Sequence, residues 1–167
     1  MVIKESCKND LAHIQSLWSD GDVMKYVGFP NGLNKNDEDM IKWLCWIEKS
    51  RPAINHYSIY DEGRYCGETF YNIDKSTKRA ALDIKLFSFA REKGIAFRAL
   101  KFAIGEAFKN GAKCCYGDPN PQNEKAINLY KRIGMVQKQI PNDLDDTNYP
   151  GFLYFEIEKD SILQNKE

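Results

Sequence analysis

The sequence predicts a mixed α/β domain built from its 167 residues, and three observations carry that expectation. The run from Ala80 to Phe87 alternates as a strand does, with Leu82, Ile84 and Leu86 on one face and Ala81, Asp83 and Lys85 on the other. A glycine-containing turn, Arg91-Glu92-Lys93-Gly94, follows, and a long amphipathic stretch from Ile95 to Asn110 comes next. Helical patterns and short strand-like runs lie on either side of this unit, giving the order β-α-α-β-β-β-α-β-α-β-β.

Each element has a local reason. After the opening strand, Asp10 to Trp18 sets Leu11, Ile14, Leu17 and Trp18 on one helical face, with Asn9 or Asp10 as N-cap. Asp37 to Lys49 repeats the pattern with Met40, Trp43, Leu44 and Ile47. The join from Gly21 to Asn36 carries Gly28, Pro30 and Gly32 and reads as mostly turn. His56 to Tyr60 and Arg64 to Tyr71 are strands separated by a hairpin signal, Asp61-Glu62-Gly63. The helix after Gly94 buries Ala96, Ala99, Leu100, Ala103 and Ala107, small enough to sit close on a sheet, and Asn110-Gly111 ends it. Lys113 to Tyr116 is a short strand, and Asp118-Pro119-Asn120-Pro121 breaks regular structure. Asn123 caps a helix running to Ile133, and Gly134 stops it. Met135 to Ile140 and Phe152 to Glu158 close the domain as strands.

Composition narrows the function. No linker or repeat divides the chain, so residues 1–167 are expected to form one domain. The 24 basic and 24 acidic side chains cancel, which gives no electrostatic case for nucleic acid. Five cysteines, none in a Cys-x-x-Cys pair, and only two histidines, His13 and His56, match no zinc spacing. Reduced thiols in a cytoplasmic protein are expected rather than a disulfide framework. No signal core stands at the start, and no apolar run approaches the ~20 residues of a membrane span, so no membrane partner is expected. Cys114-Cys115 reads as small buried hydrophobes, not nucleophiles.

The stretch Arg91 to Ala96 points to a ligand. The first N–H groups of a helix have no intrahelical partner, and the helix dipole adds partial positive charge there. Gly94 lets an anion approach the backbone, Ala96 is nearly as small, and Arg91 and Lys93 add cationic side chains. A phosphate-bearing ligand follows. A P-loop is excluded, because Gly94 is not followed by Gly-Lys-Ser/Thr and no glycine stands five residues before it; Gly-x-Gly-x-x-Gly is absent too.

The element order and this loop resemble the GNAT superfamily of acyl-CoA-dependent N-acetyltransferases. The family's loop, Gln/Arg-x-x-Gly-x-Gly/Ala, is met by Arg91, Gly94 and Ala96. One helix and one strand later, Asn123 to Met135 is similar to the family's Asn-x-x-Ala-x-x-x-Tyr-x-x-x-Gly-Phe segment through Asn123, Ala126, Tyr130 and Gly134, with Met135 in place of Phe. Trp18-Ser19-Asp20 and Asp22 to Val27 resemble the subgroup of ribosomal-protein and polyamine acetyltransferases, and Asp118 to Asn123 resembles aminoglycoside 6′-N-acetyltransferases.

The resemblance implies a mostly antiparallel sheet flanked by helices and acetyl-CoA as co-substrate, with no metal. It implies that the pyrophosphate rests on backbone N–H groups of Lys93, Gly94, Ile95 and Ala96 beside Arg91, that Leu86 and Phe87 pair with the pantetheine arm through their backbone, and that Asn123 bonds the arm from the far side. Tyr130 stands where the family places its acid, and a phenol is protonated at neutral pH. Many relatives carry a glutamate where this chain has Ala81; Asp83, on the same face, is the candidate base, with Glu68 as rival and water as a further route. Either carboxylate would also pair with Lys85. Acceptor choice falls to Tyr26, Phe29, Pro30 and Asn31, to Glu68 and Asp83 on the strands, and to Asp143, Asp145, Asp146 and Tyr149 near the end. Aromatics beside carboxylates suit a cationic amine: a polyamine, an aminoglycoside or a peptide N-terminus. The family also suggests a homodimer through sheet edges, and a non-catalytic acyl-CoA sensor is the alternative on the same fold.

Overall fold

The structure is a computed structural model and describes residues 1–144 and 151–160. Seven strands form one sheet: β1 (Val2–Glu5), β2 (Ile54–Asp61), β3 (Arg64–Ile73), β4 (Arg79–Leu86), β5 (Cys114–Gly117), β6 (Val136–Lys138) and β7 (Tyr154–Glu158). Their spatial order is β1-β2-β3-β4-β5-β7-β6, antiparallel throughout except where β4 runs parallel to β5. The helices are α1 (Leu11–Ser19), α2 (Gly21–Met24), α3 (Asp37–Ser50), α4 (Ile95–Lys109) and α5 (Glu124–Ile133). The expected fold class and order are found, with one addition: the join after α1 is not mere turn. Asp20 accepts a hydrogen bond from the Asp22 N–H and starts the short α2 there. The last two strands are shorter than expected.

Hydrophobic patterning sets the layers. On one face of the sheet, Leu100, Ala103, Ala107 and Phe108 of α4 pack on Tyr71, Leu82 and Cys115, and Tyr130 of α5 joins the same cluster. On the other face, Ile14 and Leu17 of α1 and Met40 of α3 pack around Tyr65. The β2–β3 hairpin turns through Glu62 and Gly63, both at positive φ, as a two-residue turn requires. The pairing then slips between Ile59 and Tyr60, so that Cys66 has no opposite residue. That bulge turns Tyr65 toward α1 and Cys66 toward α4. Among the described residues no helix is long and apolar enough to cross a membrane.

Candidate active site

β4 and β5 pair only through Arg79↔Cys114, Ala80↔Cys115 and Ala81↔Tyr116. Beyond Ala81 the two strands part, while β4 stays paired with β3 as far as Leu86. A cleft therefore opens at the carboxyl ends of two parallel strands, the usual place for a ligand in such sheets. The Phe87 N–H turns to the Cys66 carbonyl on β3. Backbone groups alternate along a strand, so those of Leu86 and Ile84 face the cleft. The Ile84 N–H is held by Asp83 Oδ1 at 2.7 Å, and the Leu86 carbonyl accepts from Arg91 Nε at 3.1 Å.

The loop after β4 forms one wall. Gly94 is the N-cap of α4 at φ +73, a conformation that disfavours a side chain, and a Cβ there would meet nothing within 4 Å. Among the described residues the N–H groups of Lys93, Gly94, Ile95 and Ala96 have no acceptor, so they can cradle an anion. Lys93 is exposed and makes no ion pair among the described residues. Arg91, at the start of the loop, is already engaged: besides Leu86 it binds Asp22 Oδ2 at 2.6 Å, tying the loop to α2. One expectation needs correcting. Phe87 has no spare backbone group, because its N–H goes to Cys66 and its carbonyl accepts from Ala90.

The far wall is α5. Asn123 Oδ1 caps it by accepting from the Ala126 N–H, which leaves the Asn123 amide nitrogen free among the described residues. Lys125 reaches across to Glu92 at 2.8 Å. Tyr130 is only 6% exposed, yet its hydroxyl has no hydrogen-bond partner among the described residues. Burial first, then the charges of Asp83 and Asp118, push its phenol far above the ordinary value. It stays protonated at any physiological pH.

Asp118, just past β5, was missed by sequence reasoning, which read it as a structure breaker. Crowding by surrounding atoms and the charge of Asp83 raise its carboxyl to about 6. Solvent reaches its open side and weakens the effect without reversing it. The signal available in the sequence was its place, a carboxylate at the carboxyl end of a strand. Asp83 is more tightly engaged: Lys85 is ion-paired to Oδ2 and Oδ1 takes the Ile84 N–H, while 41% of the side chain remains exposed.

Glu68 is not in the open site, contrary to expectation. It is 3% exposed and lies under Trp18, whose indole N–H reaches Oε1 at 2.9 Å and Oε2 at 3.0 Å. Lys85 Nζ lies 3.4 Å from Oε1 and His56 Nε2 3.0 Å from Oε2, the latter off the line of a good hydrogen bond. Behind it, Ser6 Oγ bridges His56 Nδ1 and Ser58 Oγ. Burial alone would raise the Glu68 carboxyl; His56 and Lys85, with the Trp18 bond, outweigh it and hold it at about 2. So poor a proton acceptor, walled in by Trp18, cannot serve as base. The cysteine expectation fits: burial lifts Cys114 to about 12 and Cys115 higher still.

On the acceptor side, Tyr26 lies under Lys25 Nζ at 5.2 Å and Phe29 is 40% exposed. Asp143 is paired with Arg79 at 2.6 Å, and Asp145, Asp146 and Tyr149 lie outside the described residues. His13 is exposed and stacks on Tyr65. Among the described residues no cluster of His, Cys, Asp or Glu is arranged to hold a metal.

The sequence model of the acetyltransferase (GNAT) domain family matches residues 1–136. The chain belongs to that family, the acetyl-CoA-dependent N-acetyltransferases, with acetyl-CoA as co-substrate. No curated protein matches the sequence. Among solved structures, the chain is similar to spermidine N-acetyltransferase from Vibrio cholerae in complex with CoA and spermine: 18% identity, 97% of each chain covered, TM-score 0.77. It is similar to ribosomal-protein-alanine N-acetyltransferase from Brucella melitensis at 17% identity, covering 95% of this chain and 99% of that one, TM-score 0.71. A Salmonella typhimurium structure holding acetyl-CoA as its cofactor aligns at 17% identity over 95% and 93% of the two chains, TM-score 0.73. At these identities the likeness is one of fold.

Proposed function

We propose that the chain acts as one domain that moves an acetyl group from acetyl-CoA to a cationic primary amine, by direct attack in a ternary complex. One observation carries this reading: the Tyr130 hydroxyl, without a hydrogen-bond partner among the described residues, lies against Gly117 at the end of β5, where β4 and β5 part, and feels the charges of Asp83 and Asp118. The amine nitrogen attacks the thioester carbon, a tetrahedral oxyanion forms, and the C–S bond breaks with coenzyme A leaving as thiolate. Tyr130 donates its hydrogen bond to the sulfur as that charge develops. A phenol so reluctant to ionise keeps its proton and steadies the thiolate as a hydrogen-bond donor.

Asp118 is the better base. A carboxylate raised toward 6 is mostly ionised at neutral pH yet more basic than an ordinary one. Asp83, engaged at both oxygens, serves as fixed negative charge beside the amine. The donor cradle consists of the loop N–H groups from Lys93 to Ala96, the cleft-facing groups of Leu86 and Ile84, and the Asn123 amide. Asp22, Asp83 and Asp118, with Tyr26 and Phe29, favour a polyamine, an aminoglycoside or a peptide N-terminus. Two structurally similar proteins are named for spermidine and for a ribosomal-protein alanine. The free thiols of all five cysteines suit a cytoplasmic setting. A homodimer is left to a sedimentation measurement.

Thiol release from acetyl-CoA tests the proposal with spermidine, an aminoglycoside, an alanyl peptide and neutral amines as acceptors. Turnover on a cationic amine supports it. Turnover on neutral amines alone overturns the acceptor class. Coenzyme A binding with no turnover on any amine favours the sensor.

A further inference from the structure

We propose that Gly117 is a positioning residue that seats the Tyr130 phenol; the inference rests on reading Tyr130 as the acid. Eight of the eleven glycines sit at positive φ and are explained by their backbone. Gly117 is not among them. It is a strand residue of β5 in a conformation open to any amino acid. What excludes a side chain is space. A Cβ at 117 would lie 2.6 Å from Tyr130 Cζ, 2.8 Å from Oη and 2.9 Å from Cε2. Those three nearest atoms are all the reactive end of one phenol, none of them backbone.

The ring has little room to retreat. Gly117 stands opposite Phe155 in the β5–β7 register, and the Phe155 ring, itself fully buried, lies 6.0 Å from the Tyr130 ring. The helix that carries Tyr130 is capped at both ends, by Asn123 and by Gly134 at φ +97. A methyl group at 117 therefore tilts the hydroxyl rather than moving α5. Displacing a reacting group by about 1 Å costs on the order of a hundredfold in rate. The bare backbone at 117 is thus one side of the slot that aims the acid into the cleft.

The test is a cycle of Gly117→Ala and Tyr130→Phe with two readouts. One is thiol release from acetyl-CoA with the best amine of the panel above. The other is the Tyr130 ring signal in isotope-labelled tyrosine NMR, identified by its loss in Tyr130→Phe. We expect Gly117→Ala to lower kcat by roughly tenfold to a hundredfold with KM for acetyl-CoA changed less than about twofold. The ring signal should move, and Gly117→Ala should add almost nothing in the Tyr130→Phe background. Gly105→Ala, where a Cβ meets nothing within 4 Å, should leave both readouts unchanged. An unmoved ring signal in folded Gly117→Ala overturns the proposal, as does an equal fold-loss in both backgrounds. Full activity in Tyr130→Phe would instead remove Tyr130 as the acid, and the NMR shift would still judge the seat. If Gly117→Ala does not fold, Tyr130→Ala should restore folding by removing the ring. A double variant that stays unfolded while Tyr130→Ala folds also overturns it.

Discussion

Tyr130 joins a buried ring to a hydroxyl with no protein partner among the described residues. That oxygen is not among the buried atoms left without a partner, so water can serve it, and Tyr130→Phe should change stability by less than about 0.5 kcal/mol. Its kcat should fall on the order of a hundredfold or more with acetyl-CoA affinity kept, as steady-state kinetics beside urea unfolding would show. Asp118 makes a pH prediction. With Asp118 as the proposed base, kcat/KM should rise between its ordinary 3.8 and about pH 6, and Asp118→Asn should lose that limb. The same raised pKa means that the native state holds the proton more tightly than the unfolded chain, so this group's contribution to stability falls as pH rises toward 6. Glu68 has the opposite sign. Held at about 2, below its ordinary 4.5, it contributes stability that is full above 4.5 and lost as pH falls through 2. Glu68→Gln should cost about 3 kcal/mol at pH 7, and its stability should decline less on acidification. Of these residues Tyr130 was legible because its spacing from Asn123 and Gly134 is local. Glu68 was misplaced because its partners come from α1, β2 and β4, which no local pattern joins.

Elements carry the next set of effects. α4 and α5 were readable from periodicity and from their ends, since caps and apolar stripes are written within a few turns of chain. The slip at Ile59/Tyr60 was not, and it decides which β3 side chains face α1. α2 was hidden because a four-residue helix has too few positions to show a period. Asn123 offers a clean separation of two roles at one helix start. Asn123→Asp keeps the capping oxygen but removes the amide donor, so stability should hold while KM for acetyl-CoA rises. Asn123→Ala should raise KM and also cost about 1 kcal/mol through the lost cap. Equal stability of the two variants by denaturant unfolding would count against the cap. At the start of α4, Gly94→Ala forces a side chain into the left-handed region, worth about 1–2 kcal/mol. It should weaken coenzyme A binding in calorimetry more than it lowers kcat.

At the scale of the whole molecule, fold class and the order of elements along the chain were legible because seven short strands and the long helices punctuate it clearly. The parting of β4 from β5 was not, since it depends on how far two distant segments stay in register. It makes the sheet a binding device, and coenzyme A at a hundred times its dissociation constant should add about 2.7 kcal/mol to unfolding. A thermal shift of several degrees is the expected reading, and none at all would count against the cleft. One detail of that cleft reaches further. The inward edge of β4 is already occupied by the chain itself, with Asp83 on the Ile84 N–H and Arg91 on the Leu86 carbonyl. A donor that zips onto this edge must evict Asp83 from the Ile84 N–H, whereas the Leu86 carbonyl has a second lone pair and can keep Arg91. Its affinity then measures a trade of bonds at one of the two places, and the evicted group is a carboxylate beside the amine. Loading the first substrate would in this way rearm the ground for the second.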